Sequence, residues 1–411
     1  MPDGRLSFLG RLNRTPKHRL AGWAVLGYAG VVCAGALVGA QILLRARSRW
    51  VPGEFMPVVR RGNDVLLPFS RETLSRGVVG IMPLLPNKGH AVLGPPEREK
   101  ALVRRTVQHE RGVLPHGSLA WVSTFVYNGT PMQLGVAYED VAVRTEVGDM
   151  PAWHIPAISE SDGSGERDAV VIVIHGHGGH KAQGLRALPA LRRSGAASLF
   201  VTFRNAHGAP RVGRGHLTLG DREAEDLTAA LRWAAEAGYR RALLFGFSMG
   251  GNIVLSALRP QHGPLALPVP GVLLDSPALD WLDVARANGR RYHLPAFMAA
   301  HMAGVVKWLV TRFGGQNFAA VDQLAAAPTF TRPILLFHGD RDRTIPVTQS
   351  DALAAARPDL VEYHRVEGAK HIRCWNIDPQ KYDSAVEEFV HRVLNTGTTP
   401  SFISSEEHPH A

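Results

Sequence analysis

A serine stands among glycines at Gly246-Phe247-Ser248-Met249-Gly250-Gly251, and groups able to activate it lie downstream, an acid in Asp340-Arg341-Asp342 and His371. A serine hydroxyl is a weak nucleophile until an imidazole takes its proton, and the imidazole needs a carboxylate to fix its tautomer. The apolar run Leu243-Leu244-Phe245 before the serine reads as a buried strand, and Asn252–Leu258 after it resumes with a helical pattern. Gly-x-Ser-x-Gly between a strand and a helix is the nucleophile-elbow pattern. The turn is tight enough that only hydrogen fits at Gly246 and Gly250. It leaves Ser248 at the head of a helix, where the Met249 N–H and the helix dipole can stabilise an oxyanion.

The partners of such a serine follow in the order acid, then histidine. His371 closes the glycine-containing loop Glu367–His371 that follows the last strand-like run, which is where the base belongs. Three carboxylates compete for the acid. Asp342 lies beyond a strand end, in a loop able to lean toward His371, and leads. Asp340 is nearer the strand and better suited to supporting the turn, and Asp275 follows the preceding strand and can substitute geometrically. A second cluster, His175-Gly176-His177-Gly178-Gly179-His180, has spacing that invites a metal reading. A metallo-hydrolase loop of the H-x-H-x-D-H kind needs an acid where Gly179 stands, whereas glycines suit a loop whose N–H groups approach a substrate. The expectation is therefore no metal and no cofactor, with His175 a buried residue that shapes the loop. Arg204 and Asn205, at another strand's carboxyl end, are candidates for the pocket wall or for anchoring their own loop. Asp221, Glu225 and Asp226 open a helix and read as favourable dipole charges.

These groups need a sheet to bring them together. Val141, Val143, Thr145 and Val147 alternate, Gly148-Asp149 turns, and Ala152–Pro156 returns, which reads as a hairpin. Ala169–Ile174 is six apolar residues without alternation, as expected of a strand buried on both faces of a parallel sheet. Further strands are expected at 198–203, 271–275, 333–340 and 360–366, separated by helices at 181–194, 221–238 and 379–394. This alternation predicts an α/β fold, a mostly parallel central sheet with helices on both faces, over residues 139–395. Residues 278–330 are an apolar, helical lid insertion whose Trp281, Phe297, Met298, Met302, Trp308 and Phe313 either bind an acyl chain or pack the lid's own small core. Residues 50–138 hold short apolar runs broken by Gly and Pro and read as a small β-rich accessory region, a spacer or cover. Residues 396–411 are a polar tail expected to be disordered.

The chain has 411 residues, 45% hydrophobic and 20% charged, with two cysteines, too few for a disulfide framework. Its net charge of +10 does not indicate nucleic acid, because +7 of it falls in the first 49 residues. There a basic segment, 1–19, precedes an uncharged run over residues 20–44. As a helix that run spans about 37 Å, enough to cross a bilayer core of about 30 Å with some tilt. A cleaved signal has a shorter apolar region, and Val38-Gly39-Ala40 is a poor cleavage site. We expect a single-pass transmembrane helix placing the protein in the cell membrane, with arginines on both flanks leaving the side of the catalytic part unread. Gly35 and Gly39 form a small-xxx-small pair that would serve a homodimer.

The four ordered motifs, His175–Gly179, Gly246–Gly251, His338–Asp342 and Gly368–His371, resemble the α/β-hydrolase superfamily. The anchor, the accessory region, Phe203-Arg204-Asn205, Leu219-Gly220-Asp221, Leu274-Asp275-Ser276-Pro277 and His371-Ile372-Arg373-Cys374-Trp375-Asn376 resemble a group of actinobacterial membrane-anchored α/β-hydrolases. The core is also similar to the serine-aminopeptidase-like and lysophospholipase-like branches. The resemblance implies a triad of Ser248, Asp342 and His371. It implies an oxyanion hole from the N–H groups of Met249 and His177, with Gly178 the second choice for the latter. The expected function is a membrane-anchored serine hydrolase that cleaves a small-molecule ester of an acyl group through an acyl-enzyme. A serine peptidase, or an anchored binding protein without catalysis, are the alternatives.

Overall fold

The computed structural model describes residues 17–45, 53–83, 89–112, 119–161, 167–291 and 294–395. The basic segment lies outside the described residues as far as residue 16, and the tail expected over 396–411 lies outside them entirely.

Apolar runs in the larger part of the chain become central strands with both faces covered, and the mixed runs at 139–145 and 361–366 become strands at the sheet's edges. In chain order these are β1 (Glu139–Thr145), β2 (Gly148–Ile155), β3 (Ala169–Ile174), β4 (Ala197–Val201), β5 (Arg241–Phe247), β6 (Val272–Asp275), β7 (Ile334–Gly339) and β8 (Val361–Val366). They form one sheet in the order β1-β2-β4-β3-β5-β6-β7-β8. The expected hairpin is present: β1 pairs antiparallel with β2, which pairs antiparallel with β4, and every pairing from β4 to β8 is parallel. Side chains of β3 alternate between two buried clusters. Val170, Ile172 and Ile174 join one, and Val171 and Val173 join the other. The order reverses at β3, which sits between β4 and β5. Chains leaving such a switch point diverge to opposite faces and open a crevice at the carboxyl ends of the strands. The histidine loop leaves β3 there, and Ser248 leaves β5.

Helices α2 (Glu223–Glu236), α3 (Met249–Ala257) and α6 (Pro379–Asn395) cover the sheet, and α4 (Trp281–Arg291) and α5 (Ala296–Gly314) form the insertion. The helix expected over 181–194 is a 3-10 turn, Lys181–Ala187, followed by Leu188–Arg193. Gly184 explains the tight approach, since a Cβ there would lie 2.5 Å from Val173 Cγ1 on the sheet.

The N-terminal apolar run is a helix, α1 (Lys17–Leu44), and its segment Gly27–Leu44 is long and apolar enough to cross a membrane. It docks on the lid. Val32, Ala36, Ala40 and Leu44, spaced at i, i+4 on one face, are buried in the same cluster as Met302, Val306 and Val310 of α5. The two helices run side by side in the same direction: a Cβ on Gly35 would meet Met302 Sδ at 3.0 Å, and one on Gly39 would meet Val306 Cγ2 at 3.3 Å. The small-residue pair read as a dimer face is therefore turned to a helix of its own chain. The end of α1 is pinned as well, since the Leu217 N–H donates to the Leu44 carbonyl at 2.8 Å and Arg45 forms a β-bridge with His216.

Residues 54–123 form a second, antiparallel sheet of eight strands around Val65, Leu67, Val79, Ile81, Leu93 and Val122. Its longest strand, Leu102–Gly112, alternates buried and exposed residues at its start and is exposed toward its end. This sheet is fastened to the rest of the fold by Asn376, whose Nδ2 donates to the carbonyls of Val78 and Thr124, both at 2.8 Å.

Candidate active site

The elbow has the geometry its glycines imply. Ser248 sits at φ 55°, ψ −117°, a strained backbone for a residue with a side chain. A Cβ on Gly246 would lie 2.4 Å from the Gly250 carbonyl oxygen, and one on Gly250 would lie 2.4 Å from the Ile174 carbonyl oxygen. The strained turn is held from both sides: the Ser248 N–H donates to the Asp275 carbonyl at 2.9 Å, and the Ser248 carbonyl accepts from Gly251 N at 3.0 Å and Ala278 N at 3.1 Å.

The three residues expected to meet do so. Ser248 Oγ lies 2.9 Å from His371 Nε2, and His371 Nδ1 lies 2.6 Å from Asp342 Oδ2. Asp342 has no exposed side-chain surface, and each of its oxygens has two donors. Oδ1 accepts from Thr344 N at 2.7 Å and Ile345 N at 3.0 Å; Oδ2 accepts from His371 and, at 3.2 Å, from His338 Nε2. Burial by itself would raise this carboxyl. The His371 charge and the bonds from His338 and His371 outweigh burial and hold it well below its ordinary value. An ionised Asp342 can only accept, so His371 carries its proton on Nδ1 and leaves Nε2 free to accept from the serine. His338 is oriented for its part by Ser350 Oγ, 2.7 Å from its Nδ1. The competing acids are engaged elsewhere. Asp340 Oδ1 accepts from Gly368 N at 2.7 Å and braces the turn. Asp275 accepts from Ser276 Oγ at 2.9 Å and the Tyr382 hydroxyl at 3.1 Å.

A set of buried groups holds the His371 loop and was not singled out from the sequence for that role. Ser276 and Ile372 both have positive φ, 52° and 47°. Ser276 Oγ accepts from Ile372 N at 3.0 Å, immediately after His371. Arg186, 1% exposed, donates to the Ile372 carbonyl at 2.8 Å and to Asn376 Oδ1 at 2.9 Å. Leu274–Pro277 and His371–Asn376 were visible as motifs; Arg186 carried no signal, because nothing local distinguishes it from a surface arginine on a helix.

In the histidine loop, His175 is buried, donates from Nδ1 to the Gly176 carbonyl at 2.9 Å, and is lowered by burial to about 4. His180 accepts from Ala182 N at 3.2 Å. Gly176 approaches the nucleophile so closely that a Cβ would lie 2.8 Å from Ser248 Cβ. His177 and Gly178 line the cavity over Ser248, and Met249 opens α3 directly behind it. Among the described residues no group of three or more His, Cys, Asp or Glu side chains is arranged to hold a metal.

Arg204 and Asn205 do not line this cavity, and the reason is their bonding. Arg204 is buried against Asp226, whose carboxylate accepts from its backbone N–H at 2.7 Å and from its Nε at 3.0 Å. Asp226, read from the sequence as a dipole charge, is thus a buried counter-ion. Asn205 has φ 64°, accepts from Val212 N at 2.7 Å, donates to the His216 carbonyl at 2.8 Å, and borders a neighbouring cleft instead.

The cavity over Ser248 and His371 has a volume of about 820 Å³. One wall is the polar loops just described. The opposite wall is mostly apolar: Leu37, Val38, Ile42 and Leu43 come from α1 and Trp281 and Val284 from α4, with Gln41, Arg45 and Asn288 set among them. Phe125, beyond the second sheet, also borders it and lies under the Arg373 guanidinium at 4.0 Å.

Several known proteins are similar to the chain. An uncharacterized protein of Mycobacterium tuberculosis is 27% identical over 256 residues, 61% of this chain and 76% of that protein. Among solved structures, the Pyrococcus furiosus esterase Pf2001 is similar at 25% identity and TM-score 0.48, over 64% of this chain and 96% of that one. Est1E from Butyrivibrio proteoclasticus is similar at 17% identity and TM-score 0.46, over 62% of this chain and 98% of that one. A sequence model of the alpha/beta hydrolase family matches residues 171–385, more than half of the chain and the stretch holding Ser248, Asp342 and His371. The chain belongs to the alpha/beta hydrolase family.

Proposed function

We propose that the chain is a serine hydrolase that cleaves carboxylic esters of apolar acyl groups and is held at the cell membrane by α1. The observation that carries the reading is the bonded series Ser248 Oγ, His371, Asp342, with the strained elbow aiming the hydroxyl into the cavity. His371 Nε2 takes the serine proton as Oγ attacks the ester carbonyl. The oxyanion is held by the Met249 and His177 N–H groups, and the imidazolium faces Asp342. His371 returns the proton to the departing alcohol, leaving an acyl-serine. Water, deprotonated by the same nitrogen, releases the acid and restores the hydroxyl.

The substrate class follows from the walls. Four apolar residues of α1 and two of α4 face Ser248, so an acyl chain gains burial there at about 0.8 kcal/mol per methylene. An aminopeptidase needs an anion near the scissile bond for the substrate ammonium, and no acidic side chain borders the cavity among the described residues. Membrane attachment is supported by the outer flank of the helix pair, which presents Val31 from α1 and Phe297 and Trp308 from α5 to the outside. The test compares p-nitrophenyl decanoate, p-nitrophenyl butyrate and an aminoacyl anilide, wild type against Ser248→Ala. Decanoate turnover that vanishes in the variant is expected. Faster anilide turnover, or ester turnover indifferent to Ser248, contradicts the reading.

A further inference from the structure

Beside the catalytic cavity, across α1, lies a second cleft of about 930 Å³. Its two sides differ in chemistry. Ala40, Leu44, Leu309 and Phe313, from α1 and α5, make one side apolar. Arg45, Arg211, Arg214, His207 and His216 make the other side basic. No acid offsets them from within the loop, since residues 204–220 contain neither Asp nor Glu. Arg45, Arg211 and Arg214 form no ion pair with a carboxylate among the described residues, although Arg204, on the same loop, is paired with Asp226 and Glu225. The three guanidinium groups act on a common point: burial first, and then the charges of Arg214, Arg45 and Arg211, lower His216 from its ordinary value.

The loop carrying these charges is built in advance. Asn205 crosslinks it to Val212 and His216, Arg211 donates to the Arg214 carbonyl at 3.2 Å, and the Arg45–His216 bridge ties it to the end of α1. Holding like charges together without a counter-ion is unfavourable, and the arrangement becomes favourable when an anion fills it. Guanidinium groups recognise phosphate oxygens through paired N–H donors, so a phosphate group fits the donors better than a carboxylate of single charge. The cleft also adjoins the chemistry. Leu37 and Gln41 on α1 and Arg45 just beyond its end, four residues apart in turn, border both this cleft and the Ser248 cavity. A molecule straddling that ridge has one end beside the guanidinium groups and the other beside the nucleophile.

We propose that this cleft binds a phosphate-bearing group, carried as the headgroup of an anionic lipid ester whose acyl chain lies in the Ser248 cavity. This deepens the esterase reading above and rests on it for the identity of the reacting end. The apolar side of the cleft receives the glyceride portion, and the basic side receives the phosphate.

The test is a binding measurement on full-length Ser248→Ala protein in neutral detergent, so that turnover plays no part. The probes are dihexanoyl phosphatidate, dihexanoylglycerol and inorganic phosphate. The phosphatidate is expected to bind at least about tenfold more tightly than the neutral diglyceride, about 1.4 kcal/mol, because its phosphate makes charge-assisted contacts. Adding Arg211→Glu with Arg214→Glu is expected to erase that preference. Arg211→Lys with Arg214→Lys should keep most of it, and the exposed Arg232→Glu should leave it unchanged. Inorganic phosphate competing as well as the lipid would keep the anion site and assign it to a free phosphate. Equal affinity for the charged and neutral probes, or a preference untouched by the charge reversal, overturns the proposal. Wild-type protein that fails to react with a fluorophosphonate would sink the esterase reading and leave this binding result standing.

Discussion

The cavity over Ser248 has two walls made in opposite ways. The wall at the strand ends is a network of directed bonds, in which Ser248, Ser276 and Ile372 sit at positive φ and Asp342 is saturated by four donors. The wall made by α1 and α4 is mostly apolar side chains, Leu37, Val38, Ile42, Leu43, Trp281 and Val284. Strain and hydrogen bonding fix a geometry; hydrophobic contact selects by size and class. On the proposed function, the contrast separates the part of the molecule that would perform the reaction from the part that would choose what is brought to it.

Substitutions should sort along that division. Asp342→Asn, which is expected to favour the wrong His371 tautomer, should lower kcat on any ester by about 10⁴-fold while the protein stays folded. A loss of less than tenfold would show that the strand-end wall is not what sets the rate. Ser276→Ala should come next. It strands the Ile372 N–H without its acceptor, at a cost of about 1–3 kcal/mol in unfolding free energy, and loosens His371. Chemical denaturation with parallel ester kinetics would register both losses, and an unchanged pair of curves would remove Ser276 from the network. On the apolar wall, Leu37→Ala or Ile42→Ala should cost p-nitrophenyl decanoate about fourfold or more in kcat/KM, roughly the value of a buried methylene, and leave butyrate nearly unchanged. Equal losses on both esters would mean that α1 shapes the reacting centre as well.

A separate effect, away from both walls, is expected on stability against pH. Burial lowers His175 and His90 from 6.5 to about 4, so folding keeps them neutral where the unfolded chain would protonate. Their contribution is complete above about pH 6.5 and is lost as pH falls through about 4. The thermal midpoint should therefore drop on acidification from pH 6.5 to 4.5, and a flat midpoint would contradict the neutral assignment.

The strand-end wall was largely legible in the sequence, because its signals are local. Gly246–Gly251 encodes the elbow within six residues, and the apolar strands place Asp342 and His371 at neighbouring carboxyl ends. What escaped reading depends on pairing at a distance. Asp226 looks like an ordinary acid at a helix start until Arg204, 22 positions earlier, folds onto it. The docking of α1 was hidden for another reason. An uncharged run suits lipid and a packed helix equally well, and Gly35 and Gly39 announce close approach without naming the partner. In the second sheet, Leu102–Gly112 escaped because buried Arg105 interrupts its inward face and its second half is polar and exposed, so no apolar run marks it.

The most direct test of the relay is mass mapping after fluorophosphonate treatment of folded full-length protein. A single phosphonylated residue, Ser248, is expected, with labelling slowed by orders of magnitude in His371→Ala. Unmodified Ser248 in protein that retains its folded spectrum, or labelling as fast without His371 as with it, would contradict it.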